Sequence, residues 1–484
     1  MAEPTSSPAP AALLTAAESL FEEQAIGVLE DYTRIACLSP SFDADWQSHG
    51  YISAAASLLL EWVQSVPLRG LQAELITLPG LTPVLVAEVP ATSGYTGDPY
   101  AMAALLYGHM DKQPPLGQWR EGLDPYVPVR KGDALYGRGI ADDGYAVFSA
   151  VGALCALETN GLDHGRCLVL IEATEESGSP HLGPYLELLD TRLGENGPAL
   201  VVCLDSGSPT YDRFWCTTSL RGLLQLEIRV DVLTEGIHSG AGGGVVPSSF
   251  RLLRQLLDRI EDPATGEVLA EACNVEIPPV RRREADMLVE TLSAAGDGGN
   301  DRFPAVPGLV LGGEPGADRV LARTWRPSVA LVGADGLPSI VDGGNVLRPY
   351  TAVSIAMRLP PSADPDAVEA QITALLLADP PAGAQVTVKA EGAAGFDAPS
   401  MDAWLSAAVD EASVAYFGAP AGYAGEGGTI PFLSTLQSKY PISQFLVTGV
   451  LGPGSNAHGP NEMLHIPTAK AVTAAVAHVL SVQP

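Results

Sequence analysis

Five short segments of the chain place histidine or carboxylate side chains where predicted β-strands end. Imidazole and carboxylate groups bind zinc, manganese and similar divalent cations through nitrogen and oxygen atoms. Because ligands of an open α/β sheet bind beyond the carboxyl ends of its strands, these side chains could converge on one metal site. The segments are YGHMD at 107–111, GRGIADDG at 137–144, EATEESGSP at 172–180, VVCLDSG at 201–207 and GSNAHGPNE at 454–462.

Each segment taken alone has an ordinary structural explanation. A single histidine after a strand, such as His109, is more often a hydrogen-bonded polar residue than a metal ligand. The Asp142–Asp143 pair could cap the helix that is predicted to follow it, and the Glu175–Glu176 pair could lie in a solvated loop. The joint occurrence of all five segments at strand ends favours a metal site over coincidence.

The residue types also fit a hydrolytic reaction. Two histidines and three carboxylates can hold two ions about 3.5–4 Å apart if one carboxylate bridges them, and such ions lower the pKa of a shared water and polarise a carbonyl. Another acid can carry the proton of that water to a leaving nitrogen, so Glu175–Glu176 could supply one ligand and one base. Asp111 would lie on the same side of an extended segment as His109 and could accept its imidazole N–H.

Two kinds of pattern describe the elements that must position these residues. Near-continuous apolar strands between helices predict an α/β sheet covered on both faces. The pattern changes near Thr217, where alternating strands and amphipathic helices predict an antiparallel α+β region, and the α/β pattern returns after about Gly395. The predicted strands are 75–89, 103–107, 167–172, 199–204, 223–232, 328–332, 353–359 and 444–447, and the predicted helices are 147–159, 248–259, 365–377 and 468–480.

This order predicts one catalytic domain that is interrupted by a smaller α+β lid. The length of 484 residues agrees, because it exceeds what a single hydrophobic core usually organises. The segment 295–318 is rich in glycine, proline and acids, which predicts a loop or a variable insertion. The predicted parts are residues 1–216 and 395–484 for the catalytic domain and 217–394 for the lid.

The composition of the chain limits the classes of binding partner and the cellular compartment that we expect for it. The formal net charge of −30 argues against nucleic acid and anionic membranes as partners, because both repel an acidic surface. The six cysteines have no close pairs, and several sit in apolar runs, so reduced buried thiols and a cytoplasmic location are expected. No stretch reaches transmembrane length, and the first residues lack the basic start of a secretion signal.

The motifs YGHMDKQPP, LYGRGIADDG, EATEESGS, GIHSG, EGGTIP and AHGPNE together resemble those of the two-metal exopeptidases that include carnosine dipeptidase, glutamate carboxypeptidase and aminoacylase. The resemblance runs from about Tyr107 to the C-terminus and is strongest to the cytosolic nonspecific dipeptidase branch. It implies a phosphorylase/hydrolase-like α/β domain with a mixed, mostly parallel sheet, and a lid that forms a homodimer. It also implies hydrolysis of dipeptides or small peptides that carry a free C-terminal carboxylate, with two divalent ions, zinc first and manganese or cobalt as alternatives.

The resemblance further implies roles for individual residues. Asp142 would bridge the two ions, Glu175 would be the general base that acts on a metal-bridging hydroxide, and Asp111 would be the orienting acid. His238 in the lid would reach across the dimer to stabilise the oxyanion, although its glycine-rich context alone predicts a turn histidine. The other implied residues are the metal ligands His109, Glu176, Asp205 and His458, and the substrate-carboxylate contacts Arg358, Glu426, Gly427, Gly428 and Thr429.

Two positions depart from the dipeptidase branch. Lys112 stands where an apolar residue usually follows the motif aspartate; we expect it at the rim of the site, with contact to an anionic group as the alternative. Gly425 replaces an arginine and slightly favours a runner-up function, hydrolysis of N-acyl amino acids or another small amide on the same fold. A non-catalytic receptor or scaffold is disfavoured, because neither a ligand nor Glu175 is missing.

Overall fold

A computed structural model describes residues 10–294, 303 and 305–484, which form two compact units. The first unit comprises the chain up to Thr217 together with Ala398–Ala424 and Thr435–Pro484. The second unit comprises Thr218–Asp397 and the short segment Gly425–Ser434. The roles of catalytic domain and lid that the sequence suggests for these regions stay predictions.

A six-stranded sheet with a buried centre organises the first unit. Its strand order is Gln72–Ile76, Val84–Val89, Arg166–Glu172, Met102–His109, Leu200–Cys203 and Gln444–Val447. The last four strands are mutually parallel, and the first two pair antiparallel, so the predicted mixed and mostly parallel sheet is confirmed. The parallel register places His109 opposite Glu172, which brings the carboxyl ends of these strands to one edge of the sheet.

The single strand that the sequence predicts over 75–89 is wrong, because two strands occupy that region. Gln72–Ile76 and Val84–Val89 pair antiparallel, with Ile76 opposite Val84. Between them, Gly80 has a positive φ. Glycine adopts this left-handed conformation without steric cost. The run of apolar residues hid this reversal, which the neighbouring Pro79 and Gly80 indicate.

Helices cover the sheet of the first unit. Ala146–Thr159 and Ile466–Ser481 are buried along most of their length, and they contact each other through the hydroxyl groups of Ser149 and Thr473 at 2.5 Å. None of the described helices is long and apolar enough to cross a membrane. The other helices of this unit are Pro10–Leu20, Ile26–Thr33, Trp46–His49, Tyr51–Ser65, Leu182–Leu193 and Ala403–Phe417, and a small sheet contains Val129–Lys131, Ala134–Tyr136 and Met463–His465.

The second unit contains a four-stranded antiparallel sheet in the order Ser328–Asp335, Tyr350–Leu359, Gly222–Asp231 and Gln385–Ala393. Alternate residues of the third strand in this order are buried, and they form a core with one face of the helices Ser249–Leu257 and Pro365–Leu377. The unit also contains the strands Ile237–His238 and Val346–Leu347 and the helices Ser239–Gly242, Pro279–Ala294 and Ala317–Thr324. The strands Trp215–Leu220, Phe396–Asp397 and Gly422–Glu426 and the helix Pro431–Lys439 lie close to the ends of the segments that make up the units.

Part of the predicted insertion over 295–318 lies outside the described residues, namely 295–302 and 304. Within the described part, Ala305 to Gly316 has turns and no helix or strand. The loop prediction is wrong at its end, because the helix Ala317–Thr324 already includes Asp318. Asp318 lies in the first turn of that helix, where a carboxylate interacts favourably with the helix dipole.

Lys112 is fully buried, so the prediction of a rim position is wrong. Its ammonium group donates to the carbonyl oxygens of Tyr32 at 2.9 Å, Thr33 at 3.3 Å and Ile35 at 2.8 Å. The last carbonyl groups of a helix lack partners within the helix, and Lys112 satisfies those that end Ile26–Thr33. The alternative of an anionic partner is not seen either, since no described carboxylate forms an ion pair with Lys112.

We predict that Lys112→Met lowers the free energy of unfolding by about 1–3 kcal/mol, because it leaves buried carbonyl groups without donors. Urea denaturation measures this change. Lys131→Met is the matched control, since Lys131 is exposed in the same unit. A substitution at such a surface position should change the free energy of unfolding by about 0.5 kcal/mol at most. Equal stability of the two variants would contradict the capping role.

Candidate metal centre

The structure brings the five predicted ligands together in the first unit. His109 ends a central strand, and Asp205 follows Leu200–Cys203 by two residues. Asp142 lies in the loop before the helix Ala146–Thr159, and Glu176 lies in a single turn of 3-10 helix. His458 lies in the loop that follows the strand Gln444–Val447. All five therefore reach the same edge of the sheet from separate connections.

Asp142 lies between the two histidines. Its Oδ1 atom is 3.3 Å from Nε2 of His109, and its Oδ2 atom is 3.0 Å from Nε2 of His458. Each histidine also has a second carboxylate nearby: Asp205 Oδ2 is 3.8 Å from His109 Nε2, and Glu176 Oε2 is 3.2 Å from His458 Nε2. Two groups, each of one histidine and one carboxylate, thus share Asp142, as a pair of bridged ions requires.

The donor atoms of His109 fit a divalent cation. Its Nδ1 atom is 3.1 Å from the backbone oxygen of Asp111 and 3.4 Å from the Oδ1 atom of that residue, so Nδ1 would keep its proton when Nε2 binds a metal ion. Its Nε2 atom is buried and has no hydrogen-bond partner in the described structure. Two groups could hold an ion, with ligand atoms within 4.8 Å of one another: His109, Asp142, Glu176 and His109, Asp143, Asp205.

Burial and mutual repulsion raise the pKa of several of these carboxyl groups. Burial raises the pKa of Glu175 well above its usual value, and the charge of Asp205 raises it further. Burial raises the pKa of Glu176, and the charge of Asp142 adds to that increase. The pKa of Asp205 is also raised well above its usual value, first by burial and then by the charge of Asp143. Such a concentration of buried acids favours binding of cations.

The pKa values of the two histidines are raised as well, in their case by the neighbouring carboxylates. Burial opposes their charged form, but the carboxylates of Asp142 and Glu176 raise the pKa of His458 to about 11. The pKa of His109 is raised well above its usual value, since Asp111 and Asp142 outweigh the effect of burial. Protons therefore compete with metal ions for the nitrogen atoms of both imidazoles.

Asp111 contacts more than the imidazole that the sequence analysis assigned to it. Its Oδ1 atom accepts the backbone N–H of Glu175 at 3.2 Å, and its Oδ2 atom accepts that of Glu176 at 3.0 Å. Glu175 Oε2 lies 4.0 Å from His109 Nε2. One fully buried carboxylate therefore fixes the turn that carries both the predicted base and a predicted ligand.

Sequence reasoning missed two buried acids of this region. Asp143 Oδ2 accepts the backbone N–H of His109 at 3.2 Å, and its buried Oδ1 atom has no partner in the described structure. Glu462 accepts four hydrogen bonds from the loop that carries Asp142. Both lie inside recognised motifs, Asp143 directly after Asp142 and Glu462 four residues after His458, but a motif does not distinguish a metal ligand from a residue that supports one.

The predicted carboxylate contacts lie together in the second unit. Arg358 Nη1 donates to Thr429 Oγ1 at 3.1 Å, and that hydroxyl donates to the backbone oxygen of Arg221 at 2.5 Å. The Arg221 side chain, which the sequence analysis did not single out, donates to the backbone oxygen of Gly427 at 3.3 Å. Glu426 ends the strand Gly422–Glu426, and Gly428 lies in the same loop.

Arg221 and Arg358 are both largely buried cations. Burial, together with the charges of Arg358 and Arg323, lowers the pKa of Arg221 to about 10. Burial also lowers the pKa of Arg358. Their hydrogen bonds in the described structure go to hydroxyl and carbonyl oxygens, and none goes to a carboxylate.

The position of Gly425 leaves no room for a larger residue. A Cβ atom there would lie 2.5 Å from Ser219 Oγ, which is too close unless that side chain shifts, and 3.3 Å from Thr324 Cβ, which is a tight contact. An arginine at this position would therefore require its neighbours Ser219 and Thr324 to shift. His238, also in the second unit, is exposed, and its Nδ1 atom accepts the backbone N–H of Gly240 at 3.1 Å.

Comparisons with known proteins agree with this arrangement. Residues 105–482 match the sequence profile of peptidase family M20/M25/M40. The chain is 28% identical over 392 residues to the cysteinylglycine-S-conjugate dipeptidase of Corynebacterium striatum, covering 77% of this chain and 80% of that protein. Its fold is similar to the solved structures of the dipeptidase Dug1p of Saccharomyces cerevisiae (TM-score 0.75, 21% identity, 99% of each chain) and human carnosine dipeptidase 1 (0.74, 20%, 98% and 99%).

The chain belongs to peptidase family M20/M25/M40, because the match covers more than half of its length. The predicted family, fold class and hydrolase class are thereby confirmed. Histidine and carboxylate groups that could hold divalent ions are present in the first unit. The role of each site residue remains a proposal.

We predict that binding of divalent metal releases protons and becomes tighter as the pH rises from 6 to 9. The raised pKa values of His109 and His458 mean that metal must displace protons from both imidazoles, and a higher pH weakens that competition. Calorimetric titration of metal-free protein with zinc, in buffers of different ionisation enthalpy, counts the released protons. A pH-independent affinity without proton release would contradict this assignment of ligands.

Proposed function

We propose that the chain hydrolyses the peptide bond of dipeptides or small peptides with a free C-terminal carboxylate, using two divalent metal ions. The observation that carries this proposal is the position of Asp142, whose two oxygen atoms face different histidines, each accompanied by another carboxylate. That arrangement suits two ions joined by one bridging carboxylate. The relatives in Corynebacterium striatum and Saccharomyces cerevisiae are named as dipeptidases, which supports the same class of substrate.

In this proposal the ligands divide into two sets that share Asp142. His109 and Asp205 would complete the site of one ion, and Glu176 and His458 that of the other. Ligands of nitrogen and oxygen suit zinc best, with manganese or cobalt as alternatives. When bound, the ions would lower the pKa of a water molecule and polarise the carbonyl group of the substrate.

Glu175 would move the proton. Its carboxylate lies 4.0 Å from His109 Nε2, beside the ligands, and Asp111 holds its backbone N–H. From there it would accept a proton from the attacking water and deliver it to the leaving nitrogen. Burial raises the pKa of this carboxyl group and so favours its protonated form, which would retain a proton between the two transfers.

The substrate carboxylate would bind near Arg358 and the loop Glu426–Thr429. Buried charges in proteins are normally paired, yet Arg221 and Arg358 have no carboxylate partner among the described residues. Thr429 orients Arg358 by accepting its hydrogen bond. An anionic group of the substrate would supply the missing counter-charge, most effectively as a planar carboxylate facing a guanidinium group.

N-acyl amino acids are the second candidate substrates. They carry the same free carboxylate, so the arginines would bind them equally well. The amino end of the substrate separates the two candidates, because a dipeptide has a free ammonium group there and an N-acyl amino acid does not. The names of the relatives, which are dipeptidases, favour the dipeptide.

We also propose that the chain forms a homodimer in the cytoplasm. Ser328–Asp335 is the edge strand of the second unit's sheet, with Leu331 and Val332 exposed, and such an edge favours pairing with another strand. His238 would then act on a substrate bound by the other subunit. All six cysteines are free and buried, which is compatible with a reducing compartment. A monomeric molar mass by light scattering would contradict the dimer.

We predict that dipeptides are hydrolysed at least about 100-fold faster, in kcat/KM, than the same dipeptides with an amidated C-terminus, because losing a charge-assisted pair costs several kcal/mol. Arg358→Met should remove most of this difference by slowing the free dipeptides. Arg229→Met is the matched control, because Arg229 pairs with Asp231 on the same sheet. Equal rates on free and amidated dipeptides would refute the anchor, and activity on N-acyl amino acids alone would favour the second candidate.

We predict that Glu175→Gln lowers kcat by about 10²- to 10⁴-fold, the usual contribution of a general base, without loss of bound metal. Metal content by atomic emission and steady-state kinetics test this together. Glu187→Gln, on an exposed part of the helix Leu182–Leu193, is the control and should retain full activity. Full activity of Glu175→Gln would refute its assignment as the base.

A further inference from the structure

One buried carboxylate, that of Glu462, holds the loop that carries Asp142. Its Oε2 atom accepts a hydrogen bond from Arg138 Nη1 at 2.6 Å and one from the N–H of Gly139 at 2.9 Å. Its Oε1 atom accepts the N–H groups of Ala141 at 3.0 Å and Asp142 at 3.2 Å. Backbone N–H groups only donate, so this side of the loop requires acceptor oxygens, and a carboxylate supplies two of them.

Arg138 and Glu462 also connect this loop to the loop that carries His458. Glu462 follows His458 by four residues, and its backbone oxygen accepts the N–H of Gly137 at 3.1 Å. Arg138 Nη2 donates to the backbone oxygen of Gly459 at 2.5 Å. These contacts join two loops that are far apart in the sequence, one before the helix Ala146–Thr159 and the other near the C-terminus.

His458 depends on such support because its own packing is weak. Its side chain is 53% exposed, although it lies beside Asp142 and Glu176. Its backbone has a positive φ. This conformation is unusual for a residue other than glycine, so the surrounding loop must hold it. The position of this imidazole is therefore set by the loop, and the loop is set by Arg138 and Glu462.

We propose that Glu462 is the positioning residue of the metal centre, which fixes the bridging carboxylate of Asp142 relative to the imidazole of His458. This inference rests on the proposed two-metal function. Glu462 would contact neither ion nor substrate; it acts through the backbone of both loops. Metal ligands must be held to within about 0.5 Å of their binding geometry, and the groups that orient them contribute strongly to affinity.

A purely structural role is the competing explanation, and Glu172 provides the comparison. It is also fully buried and accepts three hydrogen bonds, from the hydroxyl groups of Tyr107, Thr174 and Ser179. Hydroxyl groups can rotate and accept from an amide, so Glu172→Gln preserves a bonded network. Glu462→Gln instead directs an amide NH₂ at donors that cannot rotate away.

The test measures zinc binding to metal-free protein in competition with a coloured chelator, alongside the unfolding midpoint of each metal-free variant. Glu462→Gln should weaken at least one of the two zinc sites by about 10- to 100-fold, while Glu172→Gln should stay within about threefold of the unaltered chain. Arg138→Lys, which retains a positive charge but loses the forked contact to Gly459, should fall between them. Metal affinity, and not the unfolding midpoint, should separate Glu462→Gln from Glu172→Gln.

Unchanged affinity at both zinc sites in Glu462→Gln would overturn the inference. If Glu462→Gln does not fold, Arg138→Lys decides by the same criterion, and unchanged affinity there overturns the inference too. Equal weakening by Glu172→Gln and Glu462→Gln would also overturn it, since any buried carboxylate would then suffice. An unaltered chain that binds no second ion would contradict the proposed function itself, which is a separate result.

Discussion

The repulsion among buried carboxylates at one edge of the parallel sheet is the constraint on which the site depends. Burial raises the pKa of Glu175, Glu176 and Asp205, so the fold holds these groups close together against the preference of their charged forms for water. Asp142 escapes this trend, because contacts with His109 and His458 outweigh its burial and lower its pKa. The imidazoles offset part of the charge, and divalent cations would offset the remainder where these ligand atoms meet.

Hydrogen-bond donors from several elements stabilise the other buried acids of the site. Asp111 is stabilised by the backbone N–H groups of the Glu175–Glu176 turn, and Glu462 by those of the Asp142 loop and by Arg138. The donors that stabilise each of these acids also define the shape of a ligand loop. The same N–H groups therefore have two effects. They stabilise the charge of a buried carboxylate, and they fix the loop that carries a predicted metal ligand.

The sequence was sufficient for the parallel strands of the sheet and for a set of candidate ligands that the fold brings together, because short motifs at strand ends reflect local chemistry. It was not sufficient for residues whose contacts lie far away in the sequence. Lys112 looked like a surface charge, yet it caps the helix Ile26–Thr33, which comes much earlier in the chain. Glu462 stood in a recognised motif, but its partners belong to a loop in the first third of the chain, and only the folded chain brings them together. Hydrophobic pattern alone also could not separate the two strands within 75–89.

Gly425 shows that a departure from a motif does not by itself describe the charges that surround a loop. The absence of an arginine there slightly favoured hydrolysis of N-acyl amino acids or another small amide. In the structure, Ser219 and Thr324 crowd that position, while Arg221, between two strands, brings a buried guanidinium group to the same loop. Buried cations without carboxylate partners favour an anion whichever segment supplies them, and their mutual repulsion, which lowers the pKa of Arg221, strengthens that preference. The charge around this loop therefore depends on all the residues that the fold gathers there, and position 425 is only one place from which a positive charge could come.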